Sequence, residues 1–541
     1  MSPEREEYVD WRGKNADPRK HGGVRAASFV CGKIFQLRVV EVLENLVFLS
    51  NASNFVAYFL MSMNYKPAEA SNMVTNFMGT SFLLTIFGGF ISDAFITRFK
   101  TFIFFCSIEL LGLILLTVQA HEPHLHPAMG RRPSGSQAAI LYAGLYAIAI
   151  GVGGVKATLP AHGADQLDHS NQRLISAFFN WFFFSLCIGG LISVTLMIWI
   201  EENLGWNWSF KISVIVLSVT LFIFTIGFSF YRCKLPGGSP LSRISKVKQK
   251  FVIMVSIYNR LHSHGREYFW LNYKIKIWQK CNLYLLTLLK NHFSHLSLKI
   301  LDKALIDNTV TATEVEETIT FLGLLPIFAT TILMNCCLAQ LMTFTVQQGN
   351  IMNRTIHHFK IPTQSLTVFP LIIMLASIPL YEQFVRIFGN QKAKMFQPLR
   401  RIGLGLALAS GSMAVAAIVE VKRREAAENN VILSVFWLGW QYLLLGVSDM
   451  LTLGGMLEFF YSEAPDSMRS MSTALSWCST SMGYFLSSVL VGITNSVSGK
   501  YGQPWLGGKN LNQTRLDLFY TLLSILNILN LLAYIYCAKR Y

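Results

Sequence analysis

Charge is what this sequence has least of. Asp, Glu, Lys and Arg together make up 14% of its 541 residues, against about 25% in ordinary soluble domains. A chain of this length would make three or four soluble domains, and these residues cannot cover that much surface with charge. Acids are scarcer than bases, 30 against 46, and the net charge is +16. Cysteine occurs nine times, without a CxxC pair or the Cys/His spacing of a metal site. Cys336 and Cys337 sit inside an apolar run, as small buried hydrophobes do. No metal and no cofactor are therefore expected. Nor does a nucleophile–base set or a phosphate-binding glycine loop stand out, so the reading excludes an enzyme. The opening residues, MSPEREEYVDWRGK, lack the apolar core of a cleavable signal, which leaves the first apolar stretch as the targeting signal.

What is abundant is hydrophobic surface. Apolar residues make up 52% of the chain, with 40 Phe, 19 Tyr and 11 Trp, and the mean hydropathy is +0.41. A bilayer core about 30 Å thick needs about 20 apolar residues per helical crossing. Such stretches fall at 26–60, 73–96, 101–119, 138–160, 177–200 and 209–230, and again at 319–345, 363–381, 402–420, 431–460, 471–494 and 516–537. The reading is an all-α membrane protein of twelve transmembrane helices. Six plus six about a central linker is the major facilitator arrangement, in which two halves enclose a midplane site. The chain divides into an N-terminal segment 1–25, a first half 26–230, a basic linker 231–318, a second half 319–537 and a tail 538–541.

Charge orients this bundle. With the N-terminus in the cytoplasm, 31 Lys and Arg fall on the cytoplasmic side and 12 on the other, while Lys33, Arg38 and Lys156 lie inside apolar stretches. The asymmetry favours both termini inside. The N-x-S/T sequons at Asn207, Asn353 and Asn512 fall in loops this topology puts outside. The linker holds fourteen Lys and Arg between Arg232 and Lys303 against two acids, Glu267 and Asp302. Its stretch YFWLNYKIKIWQKCNLYLLTLLK fits an amphipathic helix on anionic inner-leaflet lipids. The alternative is a solvated loop. A basic excess beside a membrane is no argument for nucleic acid.

Ionisable groups inside spans are costly and mark a pathway with a partner. Glu41 and Glu44, spaced i and i+3, share a helix face in the first stretch. Two carboxylates close together in a low dielectric repel, and binding one proton relieves that repulsion. The alternative is a static ion-pair cluster. Lys156 lies in GVGGVKATLP, where Gly151, Gly153 and Gly154 slim the helix enough for a cation to meet Glu41 or Glu44. Asp449 lies deep in the tenth stretch and is a candidate for substrate or proton contact. Glu458, nearer the cytoplasmic end, fits a structural pair with a loop arginine. Glu109 in the third stretch fits either role. Asp93, with Arg98 and Lys100 just beyond it, can latch two helices and gate one face, or merely cap a helix beside positive-inside charge.

Several segments together resemble the plant nitrate/peptide transporter family, the plant branch of the proton-coupled oligopeptide transporters. They are KHGGVRAASFV at 20–30, NFMGTSFLLTIFGGFISDAF at 76–95, GVGGVKATLPAHGADQLD at 151–168, FFNWFFFSLCIGG at 178–190, FYRCKLPGGSPL at 230–241, VEETITFLGLLPI at 315–327, SLTVFPL at 365–371 and LEFFYSEAPDSMRSMSTAL at 457–475. The likeness is closest to the subfamily that includes importers of abscisic acid and gibberellin. It implies that the family's E-x-x-E-R/K motif maps to Glu41, Glu44 and Asn45, with Asn in place of the cation, as is usual in this subfamily. It further implies that Lys156 matches the fourth-span lysine. Asp449 matches a tenth-span acid that contacts peptide amino termini in peptide-transporting relatives, and Asp93 and Arg98 match a signature turn. Two segments depart from the pattern. GKIFQLR at 32–38 is inserted, bringing Lys33 and Arg38, and residues 266–298 differ from the usual acidic linker.

The resemblance implies a secondary active importer working by alternating access in the plasma membrane, with the proton as coupling ion. Glu41, Glu44 and Lys156 would couple protons, while Asn45, Gln340, Gln347 and Asp449 would shape the pocket for a small organic anion such as abscisic acid or gibberellin. Low-affinity nitrate or a di- or tripeptide is the alternative substrate. A non-transporting sensor or inactive isoform, suggested by the insertion and the missing cation, is the alternative of another class.

Overall fold

Among the described residues are twelve long helices, and the two that are least apolar, Val39–Met61 and Arg469–Lys500, both carry several buried polar residues. The computed structural model describes residues 8–17, 20–23, 26–27, 39–65, 67–128, 131–238, 312–356, 359–361, 364–388, 397–507 and 511–541. Lys33, Arg38 and the expected linker helix lie outside these residues. The first half comprises α1 (Val39–Met61), α2 (Pro67–Ala94), α3 (Arg98–His121), α4 (Gly135–Asp165), α5 (Gln172–Ile192, continued through a π turn to Leu204) and α6 (Trp206–Ile226). The second comprises α7 (Ala312–Met342), α8 (Val368–Phe388), α9 (Pro398–Glu428), α10 (Gly439–Ser462), α11 (Arg469–Lys500) and α12 (Leu516–Arg540).

Ten of these are long and apolar enough to cross a membrane. The others are α1 and α11, of 23 and 32 residues, long enough at 1.5 Å per residue to span. Their polar residues point inward: Glu41, Glu44, Asn45, Ser50 and Asn51 on α1, and Ser472, Thr473, Ser476, Ser479 and Ser481 on α11, are all buried.

Local chemistry sets the helix ends. Ser134 and Gln137 form a reciprocal capping box at the start of α4, and Asn171 caps α5 through the Leu174 amide. Pro398 begins α9 at a position where the missing N–H costs nothing. Gly205, at φ 86, turns the chain from α5 into α6. Where the apolar stretches and the helices differ, the helices run into polar turns. α7 is described from Ala312, ahead of the expected 319, and its first turn carries Glu314, which suits the positive end of a helix. Of the first expected span, 26–60, Val39–Met61 forms α1, Ala26 and Ala27 are also helical, and 28–38 lie outside the described residues.

The halves meet where α2 and α4 pack on α11, and α5 packs on α8 and α10. Small residues permit the close crossings. A Cβ on Gly89 would stand 2.9 Å from the Met471 Cα, and one on Gly88 2.6 Å from the Gly154 Cα. Two short hairpins complete the fold. β1 (Tyr8–Val9) pairs antiparallel with β2 (Cys233–Lys234), and β3 (Thr355–Ile356) with β4 (Phe359–Lys360). The first pins the N-terminal segment to the start of the linker, a contact the sequence did not suggest.

Candidate functional site

Lys156 reaches α1 from the glycine-rich stretch of α4. Its Nζ donates to Glu44 Oε2 at 2.5 Å and to Asn45 Oδ1 at 3.0 Å, and lies 3.5 Å from Glu41 Oε1. All four side chains are buried, Lys156 at 1% exposure and both glutamates at 0%. Asn45 in turn donates to the Leu186 carbonyl of α5 at 2.7 Å, so it tethers two helices and adds no charge. The glycines do what slim residues allow. Gly153 packs on Leu84 of α2, and Gly154 on Phe105 of α3.

The ammonium also lies 5.6 Å from the ring centres of Phe48 on α1 and Trp477 on α11, within cation–π range. Trp477 stacks on Phe82 of α2. The charged cluster of the first half is thus roofed by an aromatic ring of the second. One oxygen of each glutamate, Glu41 Oε2 and Glu44 Oε1, has no hydrogen-bond partner among the described residues. The cluster therefore holds carboxylate capacity that Lys156 does not use.

Asp449 is half-buried on α10 and makes no hydrogen bond or ion pair with a described residue. It lies within electrostatic reach of Cys187 on α5 and Tyr484 on α11, which puts it between the halves. The structure does not bring Gln340 or Gln347 to the Lys156 cluster. Gln340 is buried, donating to the Cys336 carbonyl and to Ser487 Oγ. Gln347 is exposed on a short helix, Phe344–Ile351, that follows α7.

A second polar cluster joins the halves. Arg98 Nη2 donates to Asp93 Oδ1 at 3.1 Å, Arg98 Nη1 to Asp165 at the end of α4, and Arg98 Nε to Ser470 Oγ on α11 at 2.6 Å. Asp93 accepts the Met471 amide at 2.9 Å, and Tyr461 of α10 donates to Asp165 Oδ1 at 2.7 Å. Ser176 on α5 donates to Glu458 Oε2 at 2.9 Å, and Asn180 to Glu382 Oε1 at 2.5 Å. Glu458 lies 3.6 Å from Arg401, which sits in the first turn of α9 and not in a loop. Arg469 and Tyr8 both meet His169 Nε2, at 3.1 and 3.2 Å. Sequence reading identified Asp93 and Arg98 but missed Asp165, Tyr461 and Trp477. All three lie in or beside segments that carried the family resemblance, but nothing in the sequence singled them out.

The comparisons agree with this architecture. The PTR2 profile of the POT family matches residues 99–506. Protein NRT1/PTR FAMILY 4.2 of Arabidopsis thaliana is 57% identical over 540 residues, covering 99% of each chain. Protein NRT1/PTR FAMILY 4.1 of the same plant is 54% identical over 545 residues, again covering 99% of each. The in meso crystal structure of the POT family transporter PepTSo superposes with a TM-score of 0.66 at 18% identity, covering 96% of this chain and 98% of that one. A POT family transporter in complex with 5-aminolevulinic acid gives a TM-score of 0.61 at 14% identity, covering 93% and 95%. These two bear on the fold alone. Likeness from end to end to the Arabidopsis proteins, on a major facilitator bundle of two six-helix halves, shows that the chain belongs to the plant NRT1/PTR branch of the POT family, a family of multi-pass membrane transporters and not of enzymes.

Proposed function

We propose that the protein imports a small organic anion, a hormone carboxylate such as abscisic acid or gibberellin, together with protons, across the plasma membrane with both termini in the cytoplasm. The observation that carries the coupling part is the position of Lys156. It is held by Glu41, Glu44 and Asn45 of α1 and lies beneath Trp477 of α11, so a change in proton occupancy is felt where the halves touch. A proton on Glu41 or Glu44 weakens the hold on the ammonium and frees it to meet a substrate carboxylate entering between the halves. The Arg98–Asp93–Asp165–Tyr461 network then serves as the latch of one gate, opened and closed as the halves rock. Asp449 shapes the pocket from α10. The hormone substrate rests on the resemblance to its subfamily.

A second reading, a peptide substrate, is favoured by Asp449 itself, since an acid between the halves with no partner among the described residues suits an amino terminus. Uptake of labelled abscisic acid and gibberellin into expressing cells, at acid and neutral outside pH and with nitrate and dipeptide as competitors, tests these readings. Uptake stimulated by acid outside is expected. Failure to take up either hormone would overturn the hormone reading, competition by the dipeptide would favour the peptide reading, and pH-independent uptake would overturn the coupling alone.

A further inference from the structure

Glu109 lies in the middle of α3 with 0% exposure, and neither carboxylate oxygen has a hydrogen-bond partner among the described residues. It packs against the helix that carries Lys156. A Cβ on Gly151 would stand 2.6 Å from the Glu109 amide nitrogen, so α3 and α4 touch backbone to backbone here. Lys156 and Glu44 are the charged groups within electrostatic reach of it, with the thiol of Cys106 on its own helix. The buried residues of α6, which packs on both α3 and α1, are Ser209, Phe210, Ser213, Leu217, Thr220 and Phe224, none of them charged.

Counting charge makes Glu109 conspicuous. Glu41, Glu44 and Glu109 are three fully buried carboxyl groups, and Lys156 bridges the first two while only lying within electrostatic reach of the third. Asn45 is neutral and spends its amide on Leu186. A buried carboxylate with neither cation nor donor is strongly unfavourable, and a proton on it removes the charge.

We propose that Glu109 of α3 is a third proton-binding acid of the coupling cluster, exchanging its proton with Glu44 of α1. The proposal rests on the proton-coupled reading above. In the exchange, the O–H bond on Glu109 breaks and one forms on Glu44, while Lys156 remains an ammonium ion throughout and shifts its hydrogen bond from the newly neutral group to the newly charged one. Three acids sharing one lysine then let the cluster pass a proton inward without creating a lone buried charge.

The test is Glu109→Gln, which keeps shape and removes the titrating oxygen, alongside Glu109→Asp, in cells taking up labelled abscisic acid. Glu109→Gln is expected to lower the slope of log uptake against outside pH by about one, because one linked proton is lost, and to spare substrate counterflow, which needs no net proton movement. Glu109→Asp is expected to restore the slope. An unchanged slope in Glu109→Gln overturns the proposal. Wild-type protein supplies an arm that needs neither folding of a variant nor a substrate. Dicyclohexylcarbodiimide, which reacts with protonated carboxylic acids in apolar surroundings, should label Glu109 at neutral pH, and peptide mapping without an adduct there overturns the proposal. Absence of abscisic acid uptake by the wild type, with Glu109 labelled, would overturn the substrate reading and leave the proton site standing.

Discussion

Tyr461 on α10 donates a 2.7 Å hydrogen bond to Asp165 at the end of α4, joining the two halves through a carboxylate that Arg98 already neutralises. Arg98 also binds Asp93 and Ser470, so one guanidinium ties α2, α3 and α4 of the first half to α11 of the second. Every member is buried, which removes the solvent competition that makes surface ion pairs weak.

Tyr461→Phe is the mild way to loosen this latch. A hydrogen bond to a charged group contributes about 1.5–3 kcal/mol, which corresponds to a roughly tenfold to hundredfold shift in an equilibrium. The population with this gate open should rise accordingly. A thiol reagent acting on Ser176→Cys, beside Glu458 between the halves, should react faster in the Tyr461→Phe background. Equal rates would mean that the tyrosine does not hold the gate.

Removing Lys156 is harsher. Lys156→Met leaves Glu41 and Glu44 buried without a cation, and breaking a buried pair in this way costs about 3–5 kcal/mol. The purified variant should melt well below the wild type and lose uptake. Adding Glu44→Gln should return part of the lost thermal stability, since contacting residues are not additive. A double variant no more stable than Lys156→Met would show that the 2.5 Å contact does not govern folding.

The buried acids of α1 were legible in the sequence because charge inside apolar stretches is conspicuous, and Glu41, Glu44 and Lys156 had few partners to choose from. Their roof was not. Trp477 lies in α11, more than 300 residues from Lys156, in a serine-rich run that reads as weakly hydrophobic. The glutamines show the limit differently. A Gln in an apolar run looks like a pocket residue, but Gln340 spends its amide on Cys336 and Ser487. Gln347 follows a break at Thr343, φ −116 and ψ −90, that resets the helical phase. Its neighbour Gln348 is the buried one and donates to Glu420. A break in backbone phase of this kind leaves no mark in hydropathy.

His169 marks where pH should not act. Burial, followed by the nearby charge of Arg469, pushes its pKa down to about 4. The neutral ring is the form that accepts from Arg469. A histidine with a depressed folded value contributes stability above its unfolded value near 6.5, lost as pH falls toward 4. The contact should therefore persist across the neutral range. His169→Asn should leave the pH profile of uptake unchanged while altering its maximum rate. A changed profile would move part of the pH response to the gate.

The sequons supply a test of orientation. Asn353 is exposed, and its Oδ1 accepts from the Thr355 amide and hydroxyl at 3.0 and 2.5 Å. Asn207 is half-buried, with its amide hydrogen-bonded to His121 at 3.0 Å. Glycosidase treatment of protein from a eukaryotic host should increase gel mobility. Asn353→Gln should reduce that shift, and Asn207→Gln should leave it intact. An untreated wild type that already runs as the Asn353→Gln variant does would count against Asn353 as a glycan carrier.

Asp449 can decide the chemistry of the substrate. It is an acid without a hydrogen-bond or ion-pair partner among the described residues, between α5, α10 and α11, and such groups are retained inside membranes for contact with a ligand or ion. Asp449→Asn keeps its shape and removes the capacity for charge, so the purified variant should melt no lower than the wild type. The effect on KM depends on what the pocket holds. A substrate amino group would lose a charge-assisted hydrogen bond worth about 1.5–3 kcal/mol, and KM would rise roughly tenfold to hundredfold. A hormone carboxylate would gain, because a like charge leaves its site, and KM for abscisic acid should stay level or fall. The proposed substrate therefore requires the second outcome. A large rise in KM for abscisic acid would be incompatible with a carboxylate seated beside Asp449, and the same rise for a dipeptide would favour the peptide reading.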